Sequence, residues 1–447
     1  MRKFCILLLA VALLTSFAPI ASAAGPDTPL NENVYEIKGP VFAQIVGVGV
    51  NATVPQTALP YLPDWLTSST VEQAYLYVTL IYDGAFGDPA VNATVTLNAV
   101  SLGTVGPYAS DFINAVFGDF WNIYRFDVTS IVSSAGGGFY TVTVDADDAT
   151  AHVSNVVLIV VYSDPAASPR HIILNDGLEM LLSFTDTGVN QTTHFHNVGP
   201  SFNAMELDIV VAEGSPPSEY PYLEEVWVET STHGWGHAGN LWNSTDGPAL
   251  DIHWMMLSFA PPLLTSDVNV TVGTGDDDIG WQLVVLQAYL RDVSADSQTH
   301  PNAQVPQGAI EPVEVVVSNN GDVSYGVDET FNVALSVSGP ASGVVDTVTV
   351  TNLAPGSSTT LTLNWDTTGW PLGTYGIWAH ADSGLAITEY DEQNNDCEDL
   401  TTLWVSSATV GGEIIETNLL TAVTPWLVLL IVAASLAVGV PLWKRMQ

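Results

Sequence analysis

VVLIVVY, Val156 to Tyr162, is an uncharged run of β-branched, aliphatic and aromatic residues closed by Ser163 and Asp164. A short apolar run bounded by turn residues reads as a buried strand. AYLYVTLIY (Ala74 to Tyr82), ATVTLNAV (Ala93 to Val100) and FYTVTV (Phe139 to Val144) have the same character, and Gly, Pro, Asn and Asp punctuate them at short intervals. No stretch between the two ends of the chain sustains a 3.6-residue apolar period. The fold class is therefore all-β, built from tandem β-sandwich or jelly-roll lobes.

An internal repeat divides the first part. Val142-Thr143-Val144 leads through Asp145, Asp147 and Asp148 into VVLIVVYSD; Val270-Thr271-Val272 leads through Asp276, Asp277 and Asp278 into WQLVVLQAYLRD. The shared order predicts two lobes, 25–164 and 165–292. SADSQTHPNAQVPQG, residues 294–308, has the Pro, Ser and Asn content of a linker.

The ends predict location. Trp426 to Trp443 is apolar and uncharged, about 27 Å long as a helix, close to the roughly 30 Å of a bilayer core. Lys444 and Arg445 follow it, so residues 426–443 read as a transmembrane helix and 444–447 as a cytoplasmic tail. Arg2 and Lys3, the apolar Phe4 to Leu14 and the small residues Ala21-Ser22-Ala23 read as a signal peptide, residues 1–23. The expected topology is single-pass type I in the plasma membrane, the bulk of the chain extracellular on a stalk, residues 406–425. Removal of the signal leaves Cys397 alone, which excludes an intrachain disulfide.

Lys38, Arg125, Arg170 and Arg291 are the basic residues left between the ends, against 48 acidic ones. Nucleic acid is excluded as a partner, because phosphate binding needs clustered Lys and Arg. With 47% hydrophobic residues the chain is no disordered acidic tail.

From Glu311 to Val405 the motifs become specific: EVVVSNNG (Glu314 to Gly321), FNVALSV (Phe331 to Val337), the turn Leu353-Ala354-Pro355-Gly356-Ser357, LTLNW ending at Trp365, Gly373-Thr374-Tyr375, and AHADSGLAITEYDEQNN with Glu389, Asp391, Glu392, Asn394 and Asn395. This segment resembles CARDB, the cell-adhesion-related domain found in bacteria. The resemblance implies an immunoglobulin-like sandwich over 309–405 and an adhesive or spacer role. Trp121 to Thr129 (WNIYRFDVT), Leu158 to Asp164 and Arg170 to Gly177 (RHIILNDG) resemble an uncharacterised domain of methanogenic archaeal surface proteins, which implies an exported archaeal protein. Arg is the natural partner of a carboxylate in a semi-buried pair, so Arg125 is expected in a structural ion pair.

Candidate sites are few. Calcium is the candidate cofactor, because Asp145, Asp147 and Asp148, then Asp276, Asp277 and Asp278, then Asp391, Asn394 and Asn395 gather oxygen ligands on short loops. Trp235 and Trp242, among Gly, His and Asn, are candidates for stacking on sugars, whereas Trp227 and Trp281 are expected in the core. His194 and His196, and His233 and His237, lack the further ligands that zinc requires and read as surface or turn residues. Asn51, Asn92, Asn190, Asn243 and Asn269 begin glycosylation sequons, making the protein a candidate glycoprotein. No catalytic motif occurs. The expected function is non-enzymatic: adhesion or interaction with cell-envelope or surface glycans or proteins, with a carbohydrate-binding or structural envelope protein as alternatives.

Overall fold

The computed structural model describes residues 30–64, 68–83, 90–113, 119–181, 189–212, 224–239, 250–274 and 279–407. Their regular structure is nearly all strand, as expected, with one short helix, Thr129–Ala135, among the described residues. The predicted signal peptide, the stalk beyond residue 407 and Trp426 to Trp443 lie outside them. Among the described residues no helix is long and apolar enough to cross a membrane.

The N-terminal part is layered. A five-stranded sheet, in the order Val41–Thr53, His152–Ser163, Thr70–Asp83, Asp119–Asp127, Ala109–Ile113, sits in the middle. A four-stranded sheet, in the order Gln56–Ala58, Val142–Ala146, Ala93–Leu97, Val100–Val105, accompanies it, and one core joins Leu76, Val78 and Leu158 to Val95, Val142 and Val144. A second core joins Tyr77, Trp121, Val157 and Ile159 of the five-stranded sheet to Ile172, Leu174, Leu283 and Val285 of a seven-stranded one. That sheet runs Asn31–Gly39, Arg170–Leu181, Ile279–Leu290, Val189–Ala212, Leu250–Thr274, Glu224–Thr230, Gly234–Gly239. Its far face holds a further core around Phe195, Phe202, Leu207 and Trp281. Strands covered on both faces need apolar side chains at every position rather than at every second one. Accordingly Val153 to Tyr162 and all of Ile279–Leu290 are buried.

The repeat is visible as strand order. In each sheet the last strand of its lobe inserts between two earlier ones: His152–Ser163 between Val41–Thr53 and Thr70–Asp83, and Ile279–Leu290 between Arg170–Leu181 and Val189–Ala212.

The lobe boundary at 164/165 needs correction, because the two lobes do not separate there. Asn31–Gly39, assigned to the first lobe, pairs antiparallel with Arg170–Leu181 of the second, Tyr35 opposite Leu174 and Gly39 opposite Arg170. The edge strand is latched by His171, which is fully buried. The Gly199 N–H donates to its Nδ1 at 3.3 Å, so the ring proton sits on Nε2 and is donated to Glu36 Oε1 at 2.8 Å. Burial pulls this imidazole down to about 4, keeping it neutral. Between the sheets, Arg125 Nη1 reaches Asp176 Oδ2 at 2.9 Å, the expected ion pair. Tyr77 and Tyr108 donate to the same buried carboxylate at 2.5 and 2.8 Å, and the guanidinium lies 4.0 Å from the Tyr108 ring centroid.

The C-terminal sandwich packs Val293–Thr299, Ile310–Asn319 and Ser358–Asp366 against a five-stranded sheet, in the order Gln304–Pro306, Asp396–Ser406, Gly373–His380, Glu329–Ser338, Gly343–Leu353. Phe331, Trp365 and Tyr375 lie in the core between them. The predicted linker 294–308 is corrected here, since it supplies two of these strands. Its Ser, Asn and Pro content suits a connection, yet Ala295, Gln298 and Val305 turn inward and are buried.

Candidate functional site

The described polar side chains converge where the N-terminal body meets the sandwich. Strand Ile279–Leu290 ends, and after Arg291 and Asp292 strand Val293–Thr299 begins. Arg291 makes a two-pronged contact with Glu329, Nε to Oε1 at 2.7 Å and Nη2 to Oε2 at 2.5 Å, the geometry that suits a guanidinium to a carboxylate. Asp292 accepts from Asn320 Nδ2 at 2.7 Å, from Asn394 Nδ2 at 3.1 and 3.2 Å, and from the Asp391 N–H at 3.2 Å. Glu389 accepts from the Val293 N–H at 2.5 Å and Asn395 Nδ2 at 2.6 Å. Burial pushes the Asp292 carboxyl up to about 6 and that of Glu389 up to about 8, although their amide donors pull the other way. Arg170 adds a third tie, with Nη2 3.3 Å from Asp322 Oδ2 and its guanidinium 4.4 Å from the Tyr289 ring centroid. Alongside lies a cleft of about 540 Å³ whose walls include Pro40, Pro169, Asp292, Asn320, Ser357 and Tyr390.

The sequence-predicted residues have varied surroundings. Asp391, Asn394 and Asn395 come together, but as a lock: the Asp391 N–H and both Asn amides donate to Asp292 and Glu389, and Asp391 Oδ1 accepts the Gln393 N–H at 2.9 Å. Asp147 accepts from Asn92, tying two segments 55 residues apart, and Asp148 accepts from Thr150 within a local turn. Asp276, Asp277 and Asp278 lie outside the described residues. Among the described residues no group of three or more His, Cys, Asp or Glu side chains is placed to hold a metal. Trp235 packs edge-on against Phe259, centroids 5.0 Å apart, and stacks with His233 at 5.4 Å; Trp242 lies outside the described residues. Trp281 is buried as expected, whereas Trp227 is 43% exposed, its ring lying over Gly236. His194 Nδ1 is 2.8 Å from Asn269 Oδ1, and His196 faces Glu32 and Asp267 at 3.5 and 3.4 Å.

Of the sequons, Asn51 and Asn190 are exposed. Asn92 is exposed too, with its amide held by Asp147 at 2.6 Å, while Asn269 is half-buried and Asn243 lies outside the described residues. The junction acceptors Asp292, Asp322 and Glu329 were missed. The signal that could have found Asp322 and Glu329 is the scarcity of cations: Arg125, Arg170 and Arg291 all pair with carboxylates across an interface.

Residues 291–399 match the CARDB family, and residues 47–219 match a family described as a protein of unknown function (DUF3344), a range holding all three stretches that carry the second resemblance. The CARDB match begins at Arg291, within two residues of the first strand of the sandwich. No curated protein matches the chain. Similar solved structures include the CARDB domain of a Pyrococcus furiosus protein in complex with di-metal ions (27% identity over 27% of this chain and 96% of that one, TM-score 0.22). A cell surface protein domain from Methanosarcina acetivorans is 26% identical over 26% of this chain and 93% of that one, TM-score 0.21. PNGase F, a glycosylasparaginase from Flavobacterium meningosepticum, is 11% identical over 56% of this chain and 95% of that one, TM-score 0.19. At such scores none of the three bears on activity.

Proposed function

We propose that this protein is a non-enzymatic adhesin of the cell surface, held in the plasma membrane by Trp426 to Trp443, whose N-terminal body meets glycans or proteins of the cell envelope. The observation that carries this reading is the junction. Between the body and the sandwich, Arg291–Glu329, Arg170–Asp322 and the amide cage around Asp292 replace the expected linker. A spacer tied at three points holds the body in one orientation, which suits a protein that presents a binding surface. The acidic surface favours neutral or cationic partners. Calcium at Asp391, Asn394 and Asn395 forms no part of the reading, because the two Asn side-chain amides and the Asp391 backbone N–H already donate to Asp292 and Glu389.

The test is antibody labelling of the N-terminal body on intact cells, paired with attachment of wild-type and deletion strains to isolated envelope. Labelling together with impaired attachment is expected. Absence of labelling until cells are lysed would sink the surface location, and undiminished attachment of the deletion strain would sink the adhesive role.

A further inference from the structure

Val41–Thr53 is an edge strand of the five-stranded sheet, and beyond it the seven-stranded sheet keeps part of its inner face open. Leu250 and Ile252 pack against Gly47, where a Cβ would come within 2.6 and 3.2 Å of their side chains. Two residues further along the same strand, Trp254 falls on the same face and is 53% exposed. Strand pairing sets Asp208 directly opposite Trp254 and Glu206 opposite Met256, so an indole and two carboxylates share one ledge. Glu206 Oε2 accepts the Tyr289 hydroxyl at 2.8 Å. Gln287, paired with Glu206 on its other side, turns its amide to the Ala43 N–H at 2.9 Å and the Ala43 carbonyl at 3.5 Å, closing the strand edge there.

Packing does not account for an exposed indole beside a carboxyl that is itself nine-tenths buried. Burial and the neighbouring Glu206 push Asp208 up to about 7, against a hydrogen bond from Gln287 that holds it down, so near neutral pH it can still accept or donate a further hydrogen bond. An apolar ring face edged by oxygen acceptors matches a sugar, whose C–H face is apolar and whose rim carries hydroxyl donors. The acidic surface repels uronates and other anionic sugars.

We propose that Trp254, Asp208 and Glu206 form a binding ledge for one pyranose unit of a neutral glycan, with the indole stacked on the sugar face and the carboxylates taking its hydroxyls. This deepens the adhesive reading by naming the ligand class, and rests on it only for the biological setting. The test uses purified full-length protein and can fail or succeed independently of where the protein resides. Tryptophan fluorescence and calorimetric titrations are made with gluco-, manno- and N-acetylglucosamine oligomers, and with polygalacturonate. Saturable binding of at least one neutral oligomer is expected, weakened about tenfold in Trp254→Ala, weakened severalfold in Asp208→Asn and unchanged in Trp227→Ala. Failure of every neutral oligomer to saturate, equal affinity in Trp254→Ala, or equal binding of polygalacturonate would each overturn the proposal. Trp254 is exposed and Asp208→Asn is isosteric, so both variants retain the fold, which a far-ultraviolet dichroism melt verifies.

Discussion

Strands Ile279–Leu290 and Ile310–Asn319 flank the junction and answer to different surroundings. In IGWQLVVLQAYL every residue is buried, because sheets or cores cover both faces; in IEPVEVVVSN buried positions recur at every second residue, because one face meets the sandwich core and the other leans toward water. A polar residue at an outward position of the second strand, such as Glu314, can be hydrated, whereas one anywhere in the first must find a partner inside. Gln282 does so by donating to Thr79 Oγ1 at 2.8 Å and Asn155 Oδ1 at 3.3 Å. The N-terminal body therefore depends on polar contacts between its layers, which the two-layer sandwich has less need of.

That difference is broken most severely at Arg125. Arg125→Ala leaves Asp176 buried with tyrosine donors alone, and loss of one partner from a buried pair costs about 3–5 kcal/mol. In calorimetry the transition of the N-terminal body should fall while that of the sandwich stays in place. If both fall together, the two regions unfold as a single unit and the contrast between them disappears. Next in size is Arg291→Ala, which removes two charge-assisted hydrogen bonds from buried Glu329 at a cost of about 2–3 kcal/mol. It should lower the transition of the sandwich, in which Glu329 is left buried and unpaired, and Glu329→Gln should do so less strongly. An unchanged sandwich transition in both variants would mean that the pair contributes nothing at the junction.

Much of this organisation was legible in the chain. VVLIVVY and WQLVVLQAYL lack alternation, so strands buried on both faces could be read from them, and the recurrent order around them anticipated the repeated topology. What covers those faces could not be read, because the layers are brought together by distant residues: Arg125 finds its carboxylate at Asp176, and Asn31–Gly39 finds its neighbour at Arg170–Leu181. Residues 294–308 misled through composition, since the Ser, Asn and Pro content of a linker is shared by two short strands and the turn between them. The acidic end motif misled differently. Asp391, Asn394 and Asn395 have the composition of a cation loop, and only the nearby buried Asp292 and Glu389 turn the Asn amides into donors. A strand position suggests the core for Trp227, but a glycine on the neighbouring strand gives its ring an exposed bed.

Titration sharpens the contrast at a smaller scale. Asp292 and Glu389 hold protons in the folded protein that the unfolded chain releases, since burial raises them from ordinary carboxylate values to about 6 and about 8. Folding therefore takes up protons in that window; the stabilisation is complete below about pH 4 and is lost as pH rises toward 8. The junction should melt higher at pH 5 than at pH 8. Repulsion within the acidic surface acts in the same direction, so the discriminating variant is Glu389→Gln, which removes one titrating group and barely alters the total charge. It should flatten the pH dependence at the junction. A slope identical to wild type would assign the effect to the surface as a whole.

The smallest expected effect tests the sandwich face assumed to meet water. Val344, 62% exposed, lies on Gly343–Leu353, an edge strand of the five-stranded sheet. Val344→Thr keeps the β-branch and so the strand preference, and it adds a hydroxyl that solvent can satisfy. The change in stability should stay within about 0.5 kcal/mol. The same swap at Val157, fully buried between two sheets, places a hydroxyl where apolar side chains surround it, at about 1–3 kcal/mol. Equal losses at the two positions would mean that the Val344 face is covered in solution, and the sandwich would then share the constraint that sets the N-terminal body apart.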